Sequence, residues 1–266
     1  MRSWVLASGS KGNALVLESG GERLLVDCGL GTRTLARRLA IAGIAPQSIG
    51  ALLLTHEHND HTRGAAAAAA KWGWQVLAST GTLAAVRDLP SGCRLVLRHN
   101  ATRALGAFEV TGIRVPHDAA EPMGFVVTAR SGGARLGIAT DLGEVPAPLL
   151  SAFERLDVLV LESNHDEGML RAGPYPPYLK QRILARTGHL SNAACATALG
   201  SLVHARLRHV VLAHLSEVNN EPGLARRSAT AALRRAGWRG VLHVAAQDAP
   251  TGPCGAPAAQ LRLGLA

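Results

Sequence analysis

The stretch LLTHEHNDHTRG holds four side chains able to bind a metal within six residues, His56, His58, Asp60 and His61, directly after the apolar run Leu52, Leu53 and Leu54. In extended backbone, residues two apart share a face, so His56 and His58 are spaced to grip one ion. Asp60 and His61 are adjacent where the chain turns towards the next helix, and can point at a neighbouring position. The spacing suggests two sites. It differs from H-E-x-x-H, which sets both histidines on one helix face. A polar surface turn at a strand end would explain a single histidine, but not this density of ligands.

Each ion needs further ligands, and a catalytic ion must keep a position open for water. Candidates stand where other apolar segments end: His117 in RVPHDAAEPMGF, Asp141 in IATDLG and His214 in VVLAHLS. A lone histidine at a strand end is more often structural. Together the three complete two coordination sets.

Several strand ends must therefore converge on one rim. Residues 3–7, 14–18 and 23–27 read as strands separated by the glycine-containing turns GSKGN and SGG. A helix fits 32–42, with apolar Leu35, Leu39 and Ile41 and a stop at Gly43. The strand 51–55 runs into the ligand cluster, and the six alanines at 65–70 suit a closely packed helix. Further strands are expected at 75–78, 94–97, 108–115, 124–129 and 135–140, the last two joined as a hairpin across SGG. DVLVLE at 157–162 and HVVLAH at 209–214 have the composition of buried strands. Helices are expected at 178–186, 192–205 and 221–236. With no linker-like shift in composition, residues 1–247 read as one domain of two packed sheets with helices outside. A Pro/Gly-rich tail at 248–266 is expected to be loosely held.

At 266 residues the chain can bury a substantial core. Its 28 Lys+Arg against 19 Asp+Glu give a net charge of +9, which would suit a polyanionic partner such as nucleic acid. The excess is nearly all arginine in an Ala-, Leu- and Gly-rich chain, so a solvated surface explains most of it. Cys28, Cys93, Cys195 and Cys254 form no C-x-x-C pair, which argues against a disulfide framework or a zinc knuckle. No segment approaches the roughly 20 apolar residues of a membrane span, and the first residues lack a signal-peptide core. A cytoplasmic protein without membrane contact is the expectation; the oligomeric state is not legible.

His56-Glu57-His58-Asn59-Asp60-His61 matches the H-x-H-x-D-H signature, and with His117, Asp141 and His214 following in order the chain resembles metallo-β-lactamase-fold hydrolases. That resemblance implies an α/β fold, a four-layer αββα sandwich with a binuclear centre in the cleft at its edge. It assigns His56, His58 and His117 to a first metal and Asp60, His61 and His214 to a second, with Asp141 bridging. It covers nearly the whole chain, from LASGS through LLVDCG to LSEVNN. The stretches LESNHD, YPPYLKQRI and GHLSN resemble the YycJ-like branch, a bacterial group associated with exonuclease activity on DNA. His58 where flavo-diiron proteins carry Glu, and Asp141 at a bridge that true β-lactamases lack, point away from those branches. The interval from Asp141 to His214 is too short for the inserted domain of β-CASP nucleases. Neither a long arm of the tRNA 3′-processing type nor the extra helical domain of glyoxalase II is evident.

The resemblance implies two divalent metal ions. Zinc suits the His-rich set, and manganese or iron would also support a nuclease. Such a pair lowers the pKa of a bound water towards about 7 and clamps both oxygens of an in-line displacement. The expected activity is phosphodiester hydrolysis, with a small-molecule hydrolase (thioester, lactone or cyclic phosphodiester) as the alternative.

Asp60 is expected also to orient the nucleophile. His189 of GHLSN, oriented by Glu162, is the candidate proton donor by analogy with the tRNA-processing branch. GHLSN reads equally well as a helix start capped by Ser191. His165 is expected to line the cleft or to brace the metal ligands. Ser10 and Asn13 of the GSKGN turn, with its backbone N–H groups, are candidates for phosphate binding. Lys180 and Arg182 are spaced to sit beside the cleft and hold nucleic-acid phosphates. His99, His204, His209 and His243 have no motif support and read as ordinary surface or core residues.

Overall fold

Most strands here carry apolar side chains on both faces, so each must be covered twice. A computed structural model of the chain, in which residues 1–255 are described, meets that demand with four layers. The first sheet contains β1 (Arg2–Ala7), β2 (Ala14–Ser19), β3 (Glu22–Val26), β4 (Ile49–Leu53), β5 (Gln75–Ala78) and β6 (Arg94–Val96). The second contains β7 (Thr102–Leu105), β8 (Phe108–Arg114), β9 (Met123–Ala129), β10 (Arg135–Ala139), β11 (Val158–Glu162), β12 (His209–Ala213) and β13 (Val241–Val244). A last strand, β14 (Thr251–Cys254), returns to pair antiparallel with β1, giving the orders β14-β1-β2-β3-β4-β5-β6 and β13-β12-β11-β10-β9-β8-β7.

Period-two alternation sorts the side chains between layers. In the motif strand, Ala51 and Leu53 pack between the sheets with Leu24, Val26, Phe125, Val127 and Val160. Leu52 and Leu54 point outwards, against Leu35 and Leu39 of α1 (Thr32–Ile41) and Ala65, Ala68 and Ala69 of α3 (Ala65–Trp72), a helix that follows the short α2 (Asn59–Thr62). The alanines let α3 lie close against the sheet, and Gly73, at φ 72°, ends it in the left-handed conformation that glycine tolerates. On the second sheet, Leu159, Leu161, Val210 and Leu212 face the outer helices. Those helices are α5 (Ala147–Ala152), α8 (Asn192–Leu202) and α9 (Pro222–Arg235); α4 (Thr80–Ala85) packs on the first sheet's side, and α6 (Glu167–Ala172) and α7 (Pro177–Leu184) lie between β11 and α8 in the chain. Phe153, Leu199 and Leu233 are among the side chains that α5, α8 and α9 bury.

The chain thus adopts the expected αββα arrangement, with hairpin β9–β10 in place. Four short helices, α2, α4, α5 and α6, and the strands β7, β13 and β14 were not legible in the sequence. They are four to six residues long, too short for a periodic pattern to stand out. Within the tail expected to be loosely held, residues 251–254 form an edge strand; residues 256–266 lie outside those described. Among the described residues no helix is long and apolar enough to cross a membrane.

Each sheet changes from antiparallel to parallel pairing part-way across, β3 to β6 and β10 to β13 being parallel. Ligands gather outside the carboxyl ends of parallel strands, where loops leave the sheet and backbone groups are unpaired. The ligand cluster after β4, Asp141 after β10 and His214 after β12 leave such ends, and His117 joins them from the end of β8, which is antiparallel to both of its neighbours.

Candidate metal centre

The convergence is close. A donor atom of each of His56, His58 and His117 lies within 4.8 Å of the others, and the same holds for Asp60, His61 and His214. Asp141 has a carboxylate oxygen within 4.8 Å of donor atoms of both His56 and His61, its Oδ2 lying 3.1 Å from His61 Nε2 and its Oδ1 3.5 Å from His214 Nε2. His58 Nδ1 and His117 Nε2 are 3.2 Å apart, and His214 Nε2 is 3.3 Å from Asp60 Oδ2.

The inward-facing atoms are fixed by what holds the outward ones. His61 Nδ1 donates to Asp27 Oδ2 at 2.8 Å, and His56 Nδ1 meets Thr55 Oγ1 at 3.0 Å. His117 Nδ1 donates towards the carbonyls of Thr187 and Gly188, at 3.1 and 3.2 Å. His214 Nδ1 faces Glu162 Oε1 at 3.2 Å. Outer partners of this kind set ring orientation and tautomer, leaving Nε2 to face the centre. Asp27, Asp141 and His214 all adopt left-handed backbone (φ 58°, 58° and 55°). That conformation is disfavoured for side chains other than glycine, and clusters at functional sites. Here it turns three strand ends sharply into one rim.

Charge follows the same geometry. Burial lowers the pKa of His56, with His61 adding to the effect, and lowers that of His117 too. Burial also works against protonation of His61 and His214, but the carboxylates of Asp141 and Asp27 raise the first well above its usual value. Asp141, Asp60 and Glu162 push the second up to about 10. Asp141, although buried, is held well below the ordinary carboxylate range by His214 and His61. Among the described residues, buried His56 Nε2 has no hydrogen-bond partner, and buried Asp141 Oδ2 has only His61 Nε2 beside it, at 3.1 Å. Unsatisfied donor atoms of nitrogen and oxygen type, converging in a buried site, fit a divalent cation.

The second line of expected residues divides. His189 Nδ1 donates to Glu162 Oε1 at 2.8 Å and lies 3.5 Å from Asp141 Oδ1, so the pair sits on the rim of the centre. Burial lowers the pKa of His189, but Glu162 outweighs it and the net shift is upwards. Ser191 accepts from Ala194 N as the cap of α8. GHLSN thus starts α8 with Ser191 as its cap and also sets His189 beside Glu162. A cavity of about 170 Å³ beside His189 is lined by Ser10, Asp118, Asn164, Tyr175 and Arg182, among others. Arg182 donates to Asp118 Oδ2 at 2.6 Å, whereas Lys180 is turned away and donates to the Arg171 carbonyl at 2.7 Å.

Asn13 is used differently from the expectation. Its amide closes the GSKGN turn on Gly9 and lies 3.0 Å from His61 Nε2. The N–H groups of Gly9, Lys11, Gly12 and Asn13 donate to Asn13 Oδ1, Gln247 Oε1, Gly9 O and Asp60 O, which leaves no phosphate nest of that kind. His165 is buried, with neither ring nitrogen hydrogen-bonded among the described residues, and it braces GHLSN through its carbonyl, which accepts from Asn192 N. Sequence reasoning missed Asp27, Asp118 and Asn164. The VDCG end of β3 was the available signal for Asp27, since the parallel neighbour of the motif strand must end beside it.

Fold and site define a metallohydrolase of the metallo-β-lactamase type, and the chain belongs to the beta-lactamase superfamily, whose domain profile matches residues 22–215. It is 35% identical over 238 residues to exodeoxyribonuclease YycJ of Bacillus anthracis, covering 88% of this chain and 89% of that one. Over 229 residues it is 34% identical to exodeoxyribonuclease WalJ of Streptococcus pneumoniae, covering 83% and 84% of the two chains. The crystal structure of YhfI, a metallo-beta-lactamase fold protein from Bacillus subtilis, superposes with a TM-score of 0.72 over 95% of this chain and 100% of its own. At 15% identity that likeness speaks for the fold alone. The chain is a hydrolase, and its fold implies divalent metal ions, for which the His and Asp groups described above are the candidate ligands.

Proposed function

We propose that the chain is an exonuclease acting on DNA, with His56, His58 and His117 holding one divalent cation, Asp60, His61 and His214 a second, and Asp141 serving both. The observation that carries this reading is the position of Asp141, which has a carboxylate oxygen within 4.8 Å of donor atoms of both His56, of the first set, and His61, of the second. Two cations, when bound, supply an acidified water and neutralise charge on a phosphodiester. Zinc suits the imidazole-rich donor set best, with manganese or iron as alternatives.

The chain's own groups do the rest. Asp60, between His61 and His214, orients the attacking water. His189, protonated on the ring nitrogen that Glu162 does not hold, donates to the departing sugar oxygen, and Glu162 fixes the ring for that transfer. Arg182, paired with Asp118 on the cavity wall, offers its guanidinium to backbone phosphates. Ser10 is placed on the same wall to contact substrate. The relatives' names favour DNA, and an enzyme of that kind belongs in the cytoplasm.

The test is digestion of end-labelled single- and double-stranded DNA and RNA by protein reconstituted with zinc, manganese or iron, with a thioester as control. Stepwise release of mononucleotides from DNA is expected. Turnover of the thioester with no cleavage of either nucleic acid would establish the small-molecule alternative instead.

A further inference from the structure

Three side chains far apart in the sequence, His209, His243 and Cys254, meet away from the cleft. His209 opens β12, whose other end leads to His214, so it stands roughly 16 Å from the centre along the strand at about 3.3 Å per residue. In register with it, β13 pairs His243 with Val211. Val211 and Cys254 both belong to the apolar layer between the sheets, and alternation places His209 on that same face. The imidazoles stack with centroids 5.6 Å apart and planes at 21°. His209 Nδ1 and His243 Nε2 are 3.4 Å apart, and a donor atom of each residue lies within 4.8 Å of the other two, the sulfur of Cys254 included. Two nitrogens bound tetrahedrally to zinc at about 2.0–2.1 Å are separated by about 3.4 Å, so the two rings need hardly move.

We propose that His209, His243 and Cys254 form a separate zinc site that clips the edge strand β14 of one sheet to β12 and β13 of the other. The donor set, two imidazoles and a thiolate, selects zinc over magnesium or calcium. Both histidines are only half-buried, whereas Cys254 is fully enclosed, so the ion enters from the histidine side with water as its fourth ligand. Burial pushes the Cys254 thiol up to about 11. Zinc binding therefore releases that proton to solvent as the sulfur–metal bond forms. The ligands are spread over 46 residues, from His209 to Cys254 counted inclusively, which is why no spacing motif betrays them. This site is independent of the catalytic assignment, because the centre in the cleft contains no sulfur ligand.

Cobalt distinguishes the two sites, since only a thiolate ligand gives the intense near-ultraviolet sulfur-to-cobalt charge-transfer absorption. The full chain, stripped with chelator and titrated with cobalt, should develop that band. Cys254→Ser should abolish the band and remove one equivalent of bound cobalt. His243→Ala, at a half-exposed position and thus a safer variant for folding, should weaken the band and lower cobalt affinity at this site by at least 10-fold. Absence of the band in the parent chain overturns the proposal, as does a band undiminished by either substitution, which would place the thiolate at another cysteine.

Discussion

The carboxylate of Asp27 accepts the Nδ1–H of His61 at 2.8 Å, joining the end of β3 to the ligand motif that follows β4. The same carboxylate accepts from Thr55 N at 2.9 Å and from Thr55 Oγ1 at 3.0 Å, and Thr55 Oγ1 in turn meets His56 Nδ1. One buried acid thus orients a ligand on either side of the motif. Asp27→Ala should lower metal affinity by about 10–100-fold, the usual effect of losing an outer partner of a ligating histidine. Competition with a chromophoric chelator measures it, and parent-like affinity would remove Asp27 from this role.

Gly29 packs its α-carbon against the backbone carbonyl of Asp60, where a Cβ would overlap both atoms of that carbonyl. The neighbouring bonds Cys28 N to His61 O, at 2.7 Å, and Asn13 N to Asp60 O, at 2.8 Å, leave the motif little room to retreat. Gly29→Ala should therefore destabilise the fold by about 1–3 kcal/mol, the range for an overpacked interior. Urea unfolding monitored by circular dichroism should show the lowered midpoint, together with reduced metal content.

His189 is expected to act in its protonated form, and its pKa is raised by Glu162 despite burial. Activity that needs the protonated ring falls as pH rises through that pKa, so the basic limb of the kcat/KM profile should lie above the ordinary histidine value of about 6.5. In Glu162→Gln the limb should move to lower pH. His189→Ala should lose about 10²–10⁴-fold in kcat with metal content unchanged. Loss of the metal along with activity would argue for a structural role instead.

Metal uptake should be pH-dependent. His61 and His214 have raised pKa values in the metal-free protein, so both carry protons near neutrality that a cation must displace. Raising the pH removes the competitor, and affinity should increase from pH 6 to about 8. Calorimetry in buffers of different ionisation enthalpy would count the protons released; a count of zero would contradict this protonation pattern.

The large inter-sheet side chains hold both rims in place. Phe125 is fully buried between the sheets, packed with Leu53, Val127 and Val160. Phe125→Ala should cost about 3–5 kcal/mol, the range for emptying a phenylalanine site in a core. Thermal unfolding should register this as a lower midpoint without altering the kind of metal bound.

Sequence alone picked out the candidate ligands of the cleft, because His56, His58, Asp60 and His61 are local neighbours, and His117, Asp141 and His214 each end an apolar strand. It also determined the layers, since strands apolar on both faces admit few arrangements. Tertiary structure decided which side chains stand behind the ligands. Asp27 and Glu162 reach their histidines only because parallel pairing sets the carboxyl ends of β3 and β4, and of β11 and β12, side by side. It decided, too, that SNHD, GHLSN and NN form one buried amide network, in which Asn220 Nδ2 donates to the carbonyls of Ser163 and Asn164 and to Asn192 Oδ1. And it set His209, His243 and Cys254 together. Contacts of this kind depend on register between strands distant along the chain, and a local pattern of residues carries no information about that register.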